Sequence, residues 1–357
     1  MKIGYMNKLF KNLLDILWCP SCHGVLALEN RGSLLVCRGC KKHYRIWKNV
    51  IIFNAHAEVP QVESFSKQWK KFRATQIDTI DVSESRYRFE TETQICELKG
   101  KVICEYGVGA GRFMKQALSL SPKMAIGVDA SESVFVTSEN LKENDNLFLL
   151  KADILNSPIR PQSLDVAYCI GVLHHTVAPM KAFLAITTSI KKGGIFALSV
   201  YENNLFERPN KNTVKVAFLE TFWSVNLLRA EVFRAVCSRL PSNAMLAYCL
   251  FFVPFLHALN KVPVIRYFRY LFPSTCYRGL PVEWSMCDTM DTYATKVVHQ
   301  YRAKTIFQWF KVAKYSSIDL LNSRAGWVAI RGVKSGEFTG TLAEFEKFAE
   351  PPRFDRR

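Results

Sequence analysis

The decapeptide CEYGVGAGRF, residues 104–113, places three glycines between an apolar run and an amphipathic segment. KGKVICEYG before it reads as a short strand over 101–105, and RFMKQALSL after it continues as a helix with one apolar face. Strand, glycine turn and helix in that order form the first unit of a nucleotide-binding α/β sheet. A phosphate-gripping loop needs a lysine followed by Ser or Thr after its last glycine, and here Arg112 and Phe113 follow. A dinucleotide fold uses G-x-G-x-x-G, whose third glycine falls one residue later than Gly111. What remains is a ligand that brings no phosphate to the turn.

Two downstream acids narrow the choice. KMAIGVDAS is a second strand ending in Asp129, placed to accept both hydroxyls of a ribose. LFLLKADI is a third, ending in Asp153, where a carboxylate can meet an exocyclic amine such as that of adenine. NAD and S-adenosylmethionine would both satisfy this pair. SLDVAYCIGVLHHT then supplies a fourth strand from Leu164 to Ile170 and an exposed turn with His174 and His175.

Taken together, CEYGVGAGRF, IGVDAS, KADI, LDVAYCIGVLHHT and KKGGIFALSVY resemble the successive motifs of class I S-adenosylmethionine-dependent methyltransferases, over roughly residues 100–201. The resemblance implies an α/β fold, a seven-stranded Rossmann-like sheet with one antiparallel strand, and a cofactor lying across the carboxyl ends of the first strands. By matching position it implies that Glu105 and the backbone around Gly107, Gly109 and Gly111 hold the methionine part of the cofactor. Asp129 takes the ribose, Asp153 with Ile154 meets the adenine, and Ile170 with Gly171 lines the floor beneath the sulfonium. Tyr106 and Val108 depart from the family's usual small residues without removing a needed group, because backbone amides do the binding. His174, His175 and, further on, His299 are candidates for a general base. Methyl transfer from a sulfonium demands alignment and exclusion of water rather than a nucleophilic triad, so a missing base would be uninformative.

Ahead of this sheet, CPSC (Cys19, Cys22) and CRGC (Cys37, Cys40) are separated by fourteen residues that include the strand-like SLLV. Two intervening residues let a tight turn aim both thiolates at one point, and four sulfurs suit a structural zinc with no open position for catalysis. The module resembles a Trm112-like zinc ribbon. His23 and His43 beside the pairs are not needed as ligands and are expected to be exposed. KHYRIWKNVIIF, residues 42–53, finishes the module in strands, and NAHAEVPQVES reads as a linker. In FSKQWKKF, Phe65, Trp69 and Phe72 share one helical face, suited equally to covering the cofactor pocket and to packing on the sheet.

The 357 residues carry a formal charge of +17, which draws anions such as nucleic acid, lipid headgroups or acidic substrates without choosing among them. The basic N-terminus is broken by Lys8, Lys11, Asn12 and Asp15 and has no small-residue cleavage site, so it does not read as a secretory signal. Seven cysteines outside the two pairs are scattered through apolar segments, which points to a reducing cytoplasm, with the inner face of the membrane as an alternative location.

These signals divide the chain into a zinc-ribbon module with a leading helix (1–56), the cofactor-binding half of the methyltransferase domain (57–201), an apolar and basic helical insertion (202–285), a closing helix and hairpin (286–334) and a tail (335–357). The insertion reads as a lid over a hydrophobic acceptor or as a surface for an anionic membrane; its longest apolar stretch, Ala244 to Leu259, is short for a bilayer span. Strands are expected near Ser317 to Leu321 and from Trp327 to Val333, joined by a turn at Arg324 to Gly326. Asp291, Tyr293 and His299 are candidates for the acceptor side.

The composition of the insertion favours an S-adenosylmethionine-dependent methyltransferase whose acceptor is a hydrophobic small molecule, isoprenoid or lipid-linked, with peripheral membrane association. The alternative is an rRNA or tRNA methyltransferase that uses the zinc ribbon for recognition, in keeping with the net charge. An NAD-dependent oxidoreductase and a non-catalytic adaptor stand behind these two.

Overall fold

In the computed structural model the described residues are 2–29, 32–53, 60–77, 80–93, 95–202, 228–324, 327–338, 340 and 342–347. The first three helices outside the sheet are α1 (Lys2–Ile16), α2 (Pro60–Lys71) and α3 (Ile80–Thr91), with a short α4 (Ile95–Leu98) leading into the central strand. The zinc module contributes β1 (Leu26–Glu29), β2 (Leu34–Cys37), β3 (His43–Trp47) and β4 (Val50–Ile52). β5 (Val102–Tyr106), β6 (Met124–Asp129), β7 (Leu147–Lys151), β8 (Leu164–Ile170) and β9 (Ile190–Tyr201) are joined by α5 (Arg112–Ser119), α6 (Ser133–Asn140) and α7 (Pro179–Ser189).

Helical crossovers dictate parallel pairing, and β7, β6, β5, β8 and β9 do pair in parallel. Strands covered on both faces must be apolar throughout, which is why all five residues of VICEY in β5 are buried, Glu105 among them. The order β7-β6-β5-β8 reverses direction between β5 and β8, and such a switch point leaves a crevice outside the carboxyl ends of the two strands.

The sheet closes with β10 (Tyr315–Arg324) and β11 (Trp327–Lys334) after α12 (Ala303–Val312), and β11 inserts antiparallel beside β9. Seven strands in the order β7-β6-β5-β8-β9-β11-β10, one of them reversed, match the expected sheet. The whole sheet has eleven strands, because β4 pairs in parallel with β7 (Val50 opposite Leu149, Ile52 opposite Lys151) and brings β1 to β3 with it. One hydrophobic cluster consequently runs from Leu13, Leu17 and Tyr44 of the zinc module to Ile126, Leu150 and Phe196 of the main sheet.

A helical layer lies over the carboxyl ends. It comprises α8 (228–237), α9 (Ser242–Phe251), α10 (Val253–Leu259) and α11 (Val282–Ala294), with a 3-10 segment at Ile265–Leu271; a last helix, α13 (Leu342–Glu346), follows the sheet. Residues 203–227 of the insertion, 325–326 of the expected hairpin turn, 54–59 of the expected linker and 348–357 of the tail lie outside the described residues. The linker reading is too long at its far end, since α2 already begins at Pro60, a residue whose fixed φ suits the first turn of a helix.

Candidate functional site: a zinc knuckle and a cofactor cleft

The four sulfurs of Cys19, Cys22, Cys37 and Cys40 all lie within 4.8 Å of one another. Zinc–sulfur bonds of about 2.3 Å in a tetrahedron put the sulfurs about 3.8 Å apart, and the pairs Cys22–Cys37 and Cys19–Cys40 stand at 3.4 and 3.6 Å. The backbone turns in close to the cluster: a Cβ on Gly24 would stand 3.0 Å from the Cys37 sulfur. Tyr44 Oη, 2.9 Å from the Cys19 sulfur, can donate to a thiolate there and orient it. This donor set fits a structural zinc, and His23 and His43 are both exposed and take no part. The module is fastened next to the cleft: Trp18 donates its backbone N–H to the Pro158 carbonyl and its indole N–H to the Ser157 carbonyl, four residues beyond Asp153.

At the switch point lies a cavity of about 510 Å³ that the carboxyl ends of β5, β6, β8 and β9 wall on one side. Gly107, Gly109 and Gly111 all have positive φ, and a Cβ at Gly107 would meet Val172 at 2.2 Å, so the sequence uses glycine where the chain must curl tightly against the next strand. Asp129 at the tip of β6 accepts from the Gly109 amide at 2.8 Å through one oxygen and from the Ser131 amide and hydroxyl at 2.8 and 2.7 Å through the other. Oδ1 thus already accepts twice, while Oδ2 keeps a lone pair for a further donor. Asp153 caps a one-turn helix by accepting from Leu155 N–H at 2.9 Å, and it lines the cavity together with Ile154, Ile170 and Gly171.

Glu105 is buried with Oε2 unpartnered, and burial, reinforced by the nearby Asp129 charge, holds its carboxyl well above the usual range. A lone buried carboxylate is costly unless a cation reaches it. An ammonium group entering the cavity would supply that cation, so Glu105 together with the glycine turn, Asp129 and Asp153 fits S-adenosylmethionine. When bound, that group would supply an activated methyl on sulfur.

The opposite wall comes from the helical layer. From α2, Phe65, Gln68 and Trp69 reach the cavity, and Trp69 lies 3.6 Å from where a Gly109 Cβ would be. Phe72, on the same face, is instead buried against Cys249, Met290 and Tyr293. The aromatic stripe thus reaches the cavity through Phe65 and Trp69, while Phe72 packs into the helical layer and not on the sheet as expected.

Among the residues not singled out from the sequence, Arg112 is the first residue of α5, nearly fully buried; it donates to Ser83 and Gln76 at 3.0 and 3.3 Å while Nη2 has no partner. Burial, then the charge of Arg86, lowers its pKa to about 9. Arg86 from α3 pairs with Glu90 and lies 4.6 Å over the ring of Trp327, which itself abuts Gly171. Asp288 and Asp291, one turn apart on α11, both line the cavity; Asp288 receives the Tyr277 hydroxyl at 2.5 Å and the Gln76 amide at 3.2 Å, and Asp291 the Tyr201 hydroxyl at 3.3 Å. The i, i+3 spacing of two acids on the buried face of α11 was the available signal for Asp288. Nothing local distinguishes Arg86 or Gln76, because only the tertiary fold brings α3 to this wall.

The three histidines occupy different places. The turn expected to be exposed is buried: His174 is completely enclosed, its ring tilted against Tyr201 with centroids 3.9 Å apart and both ring nitrogens unpartnered, and burial and then His175 hold it neutral, well below its ordinary pKa. His175 lines the cavity, faces Phe65, and has Nδ1 3.1 Å from the Val297 carbonyl; burial lowers its pKa to about 4. His299 donates its backbone N–H to the His174 carbonyl and is not among the cavity-lining residues. Tyr293 is buried in the helical cluster away from the cavity, whereas Asp291 opens onto it.

An eleven-stranded sheet containing this strand order, with a cleft at its switch point and a four-sulfur knuckle on its flank, defines a methyltransferase domain of the S-adenosylmethionine-dependent class behind a Trm112-like zinc module. Comparison with known proteins agrees: residues 104–198 match the methyltransferase domain family and residues 11–47 the Trm112p-like protein family. The chain is similar to the tRNA U34 carboxymethyltransferase of Desulfotalea psychrophila, at 29% identity over 150 residues (40% of this chain, 46% of that protein). It is similar in the same way to that of Campylobacter fetus, at 31% over 137 residues (36% and 47%). The chain therefore spans about half the length of the curated relatives it matches. Among solved structures, the complex of the Haloferax volcanii Trm112 methyltransferase activator with a methyltransferase aligns at a TM-score of 0.42 and 11% identity, covering 76% of this chain and 98% of that one.

These findings overturn the expectation of an isoprenoid or lipid-linked acceptor and of a membrane-associated partner, since both relatives are named for a tRNA substrate. The physical reason lies in how the insertion folds. Its apolar residues Met245, Cys249 and Val253 pack with Cys287 and Met290 of α11, while Glu202, Ala230, Arg234, Thr275 and Tyr277 line the cavity. Others of its apolar side chains, Phe251, Val264 and Leu271 among them, are exposed on the outer surface rather than turned to the pocket. Residues 242–259 are the one described stretch long and apolar enough to cross a membrane, and 28% of it is buried within the fold.

Proposed function

We propose that this chain transfers a methyl group from S-adenosylmethionine to a tRNA. The donor half of the proposal rests on one observation above the others: a buried Glu105 with an unsatisfied oxygen faces the same cavity as the glycine turn, Asp129 and Asp153. The residue roles follow from it, with Glu105 meeting the methionine ammonium, Gly107 to Gly111 its backbone, Asp129 the ribose and Asp153 with Ile154 the adenine. The acceptor half is supported by the names of the relatives, by polar and charged groups on the acceptor wall, and by the charge of +17, which favours a polyanion. The uridine at position 34 is the first site to test.

A second reading concerns the group transferred. The relatives are named carboxymethyltransferases, and a carboxymethyl on sulfur carries an extra carboxylate. Arg86, stacked on the Trp327 that touches Gly171, and the unpartnered Nη2 of Arg112 form a cationic corner suited to that carboxylate.

Incubating the protein with methyl-tritiated S-adenosylmethionine and total RNA, followed by separate counting of the tRNA and organic-extractable fractions, tests the main reading. Label in tRNA supports it, and label confined to the organic fraction ends it. Mass spectrometry of the modified nucleoside distinguishes a gain of one methyl from a gain of one carboxymethyl. Calorimetry with S-adenosylhomocysteine and NAD separates both from an oxidoreductase, which would bind NAD alone, and from an adaptor, which would bind neither.

A further inference from the structure

We infer that Asp291 is the general base that takes the proton from the acceptor's O–H or N–H during transfer; this rests on the methyltransferase reading above. The carboxylate opens onto the cavity from α11, outside the matched methyltransferase domain, and reaches the cofactor floor through a short relay of contacts. Tyr201 Oη lies 3.3 Å from Asp291 Oδ2, the Tyr201 ring packs edge-on to Trp327 at 4.6 Å, and Trp327 stands 3.7 Å from where a Gly171 Cβ would be. The floor beneath the sulfonium and this carboxylate therefore face one space.

The other titratable groups along that space are otherwise engaged. Glu105, Asp129 and Asp153 belong to the donor end, Glu202 just after β9 has a contact of its own, and Asp288 is held by Tyr277 and Gln76. His174 does not line the cavity, and His175 has its Nδ1 beside the Val297 carbonyl. Around Asp291 stand Asp288 on its own helix, Tyr201 from β9, Arg86 from α3 and Arg234 from α8. Burial raises the Asp291 pKa to about 6, against the pull of the Tyr201 hydroxyl and the two arginines, so the group is ionised at neutral pH yet a stronger base than an ordinary aspartate. In the step, the acceptor heteroatom bonds to the transferred carbon as the carbon–sulfur bond breaks. Its electron pair stays on sulfur as S-adenosylhomocysteine forms, and the acceptor proton passes to Asp291 Oδ.

Single-turnover transfer by wild type should rise about tenfold per pH unit below about pH 6 and level off above it. Asp291→Asn should lose about 100-fold at pH 7.5 and lose that limb, while its affinity for S-adenosylhomocysteine, measured by calorimetry, stays within about twofold. Difference infrared spectroscopy of wild type against Asp291→Asn, without cofactor, should show one carboxyl titrating near pH 6, a readout independent of turnover. A mutant rate within about threefold of wild type, or a wild-type profile flat from pH 5 to 8, overturns the assignment; should the Asn variant not fold, the wild-type profile and Asp291→Glu, expected to keep the limb, decide it. If wild type labels something other than tRNA, the tRNA reading fails while the same ratio and limb, measured on that acceptor, still judge Asp291.

Discussion

The proposed donor side of the cleft and the proposed acceptor side are built from different kinds of structure. On the donor side, consecutive strand ends and tight turns within residues 104–171 place backbone amides and acids with little freedom, so order along the chain is order in space. On the acceptor side, Gln68, Arg86, Arg234, Tyr277 and Asp291 come from five separate segments outside that stretch, which only the completed helical layer brings together. A local arrangement can be inherited as a motif; a wall assembled from distant side chains can change with one helix. That difference matches the extent of the family match, which covers the first side and stops at residue 198.

The sharpest way to break the comparison is to show that neither side needs the zinc module. Cys37→Ser should strip the zinc, measured as one equivalent lost by metal analysis, and lower Tm by about 10 °C or more, because structural zinc contributes folding energy directly and the module shares a hydrophobic cluster with the main sheet. A Tm shift under about 2 °C would mean that the module folds apart from both sides.

Next in size is Asp129→Ala. The lost hydrogen bonds to a charged group, about 2–3 kcal/mol, should weaken S-adenosylhomocysteine binding about 30- to 150-fold in calorimetry, with Tm little changed; unchanged affinity would remove the ribose assignment. Smaller again is the effect of Arg112→Gln on the same ligand, under about threefold, with transfer to the acceptor falling about tenfold. An equal loss in cofactor affinity would merge the two sides into one and assign Arg112 to the donor.

How much of this was readable in the chain follows the same division. β8 runs over the expected Leu164–Ile170, and Glu105, Asp129 and Asp153 all reach one cavity, since each sits at a position that strand and turn chemistry define locally. The Cys19–Cys40 cluster was equally legible, because two-residue spacing makes its own geometry. The pairing of β4 with β7 was not: three residues, VII, carry no mark of their neighbour, and the choice of partner depends on which edge is left open. Nor could the fate of the apolar insertion be read, for hydrophobic residues look alike whether they pack on α11 or face a ligand. Arg112 was noticed only as the wrong residue for a phosphate loop, and its role depends on Ser83 and Gln76, which lie distant in the chain.

The parallel contact between β4 and β7 also decides what the flank of the sheet can do. An unpaired rim of main-chain donors and acceptors is an invitation to any other extended segment, and here a metal-held ribbon occupies the place beside β7 that a second molecule would otherwise take. The four-cysteine cluster at the front of the chain thereby acts at a distance on the sheet, moving its open rim from β7 out to β1.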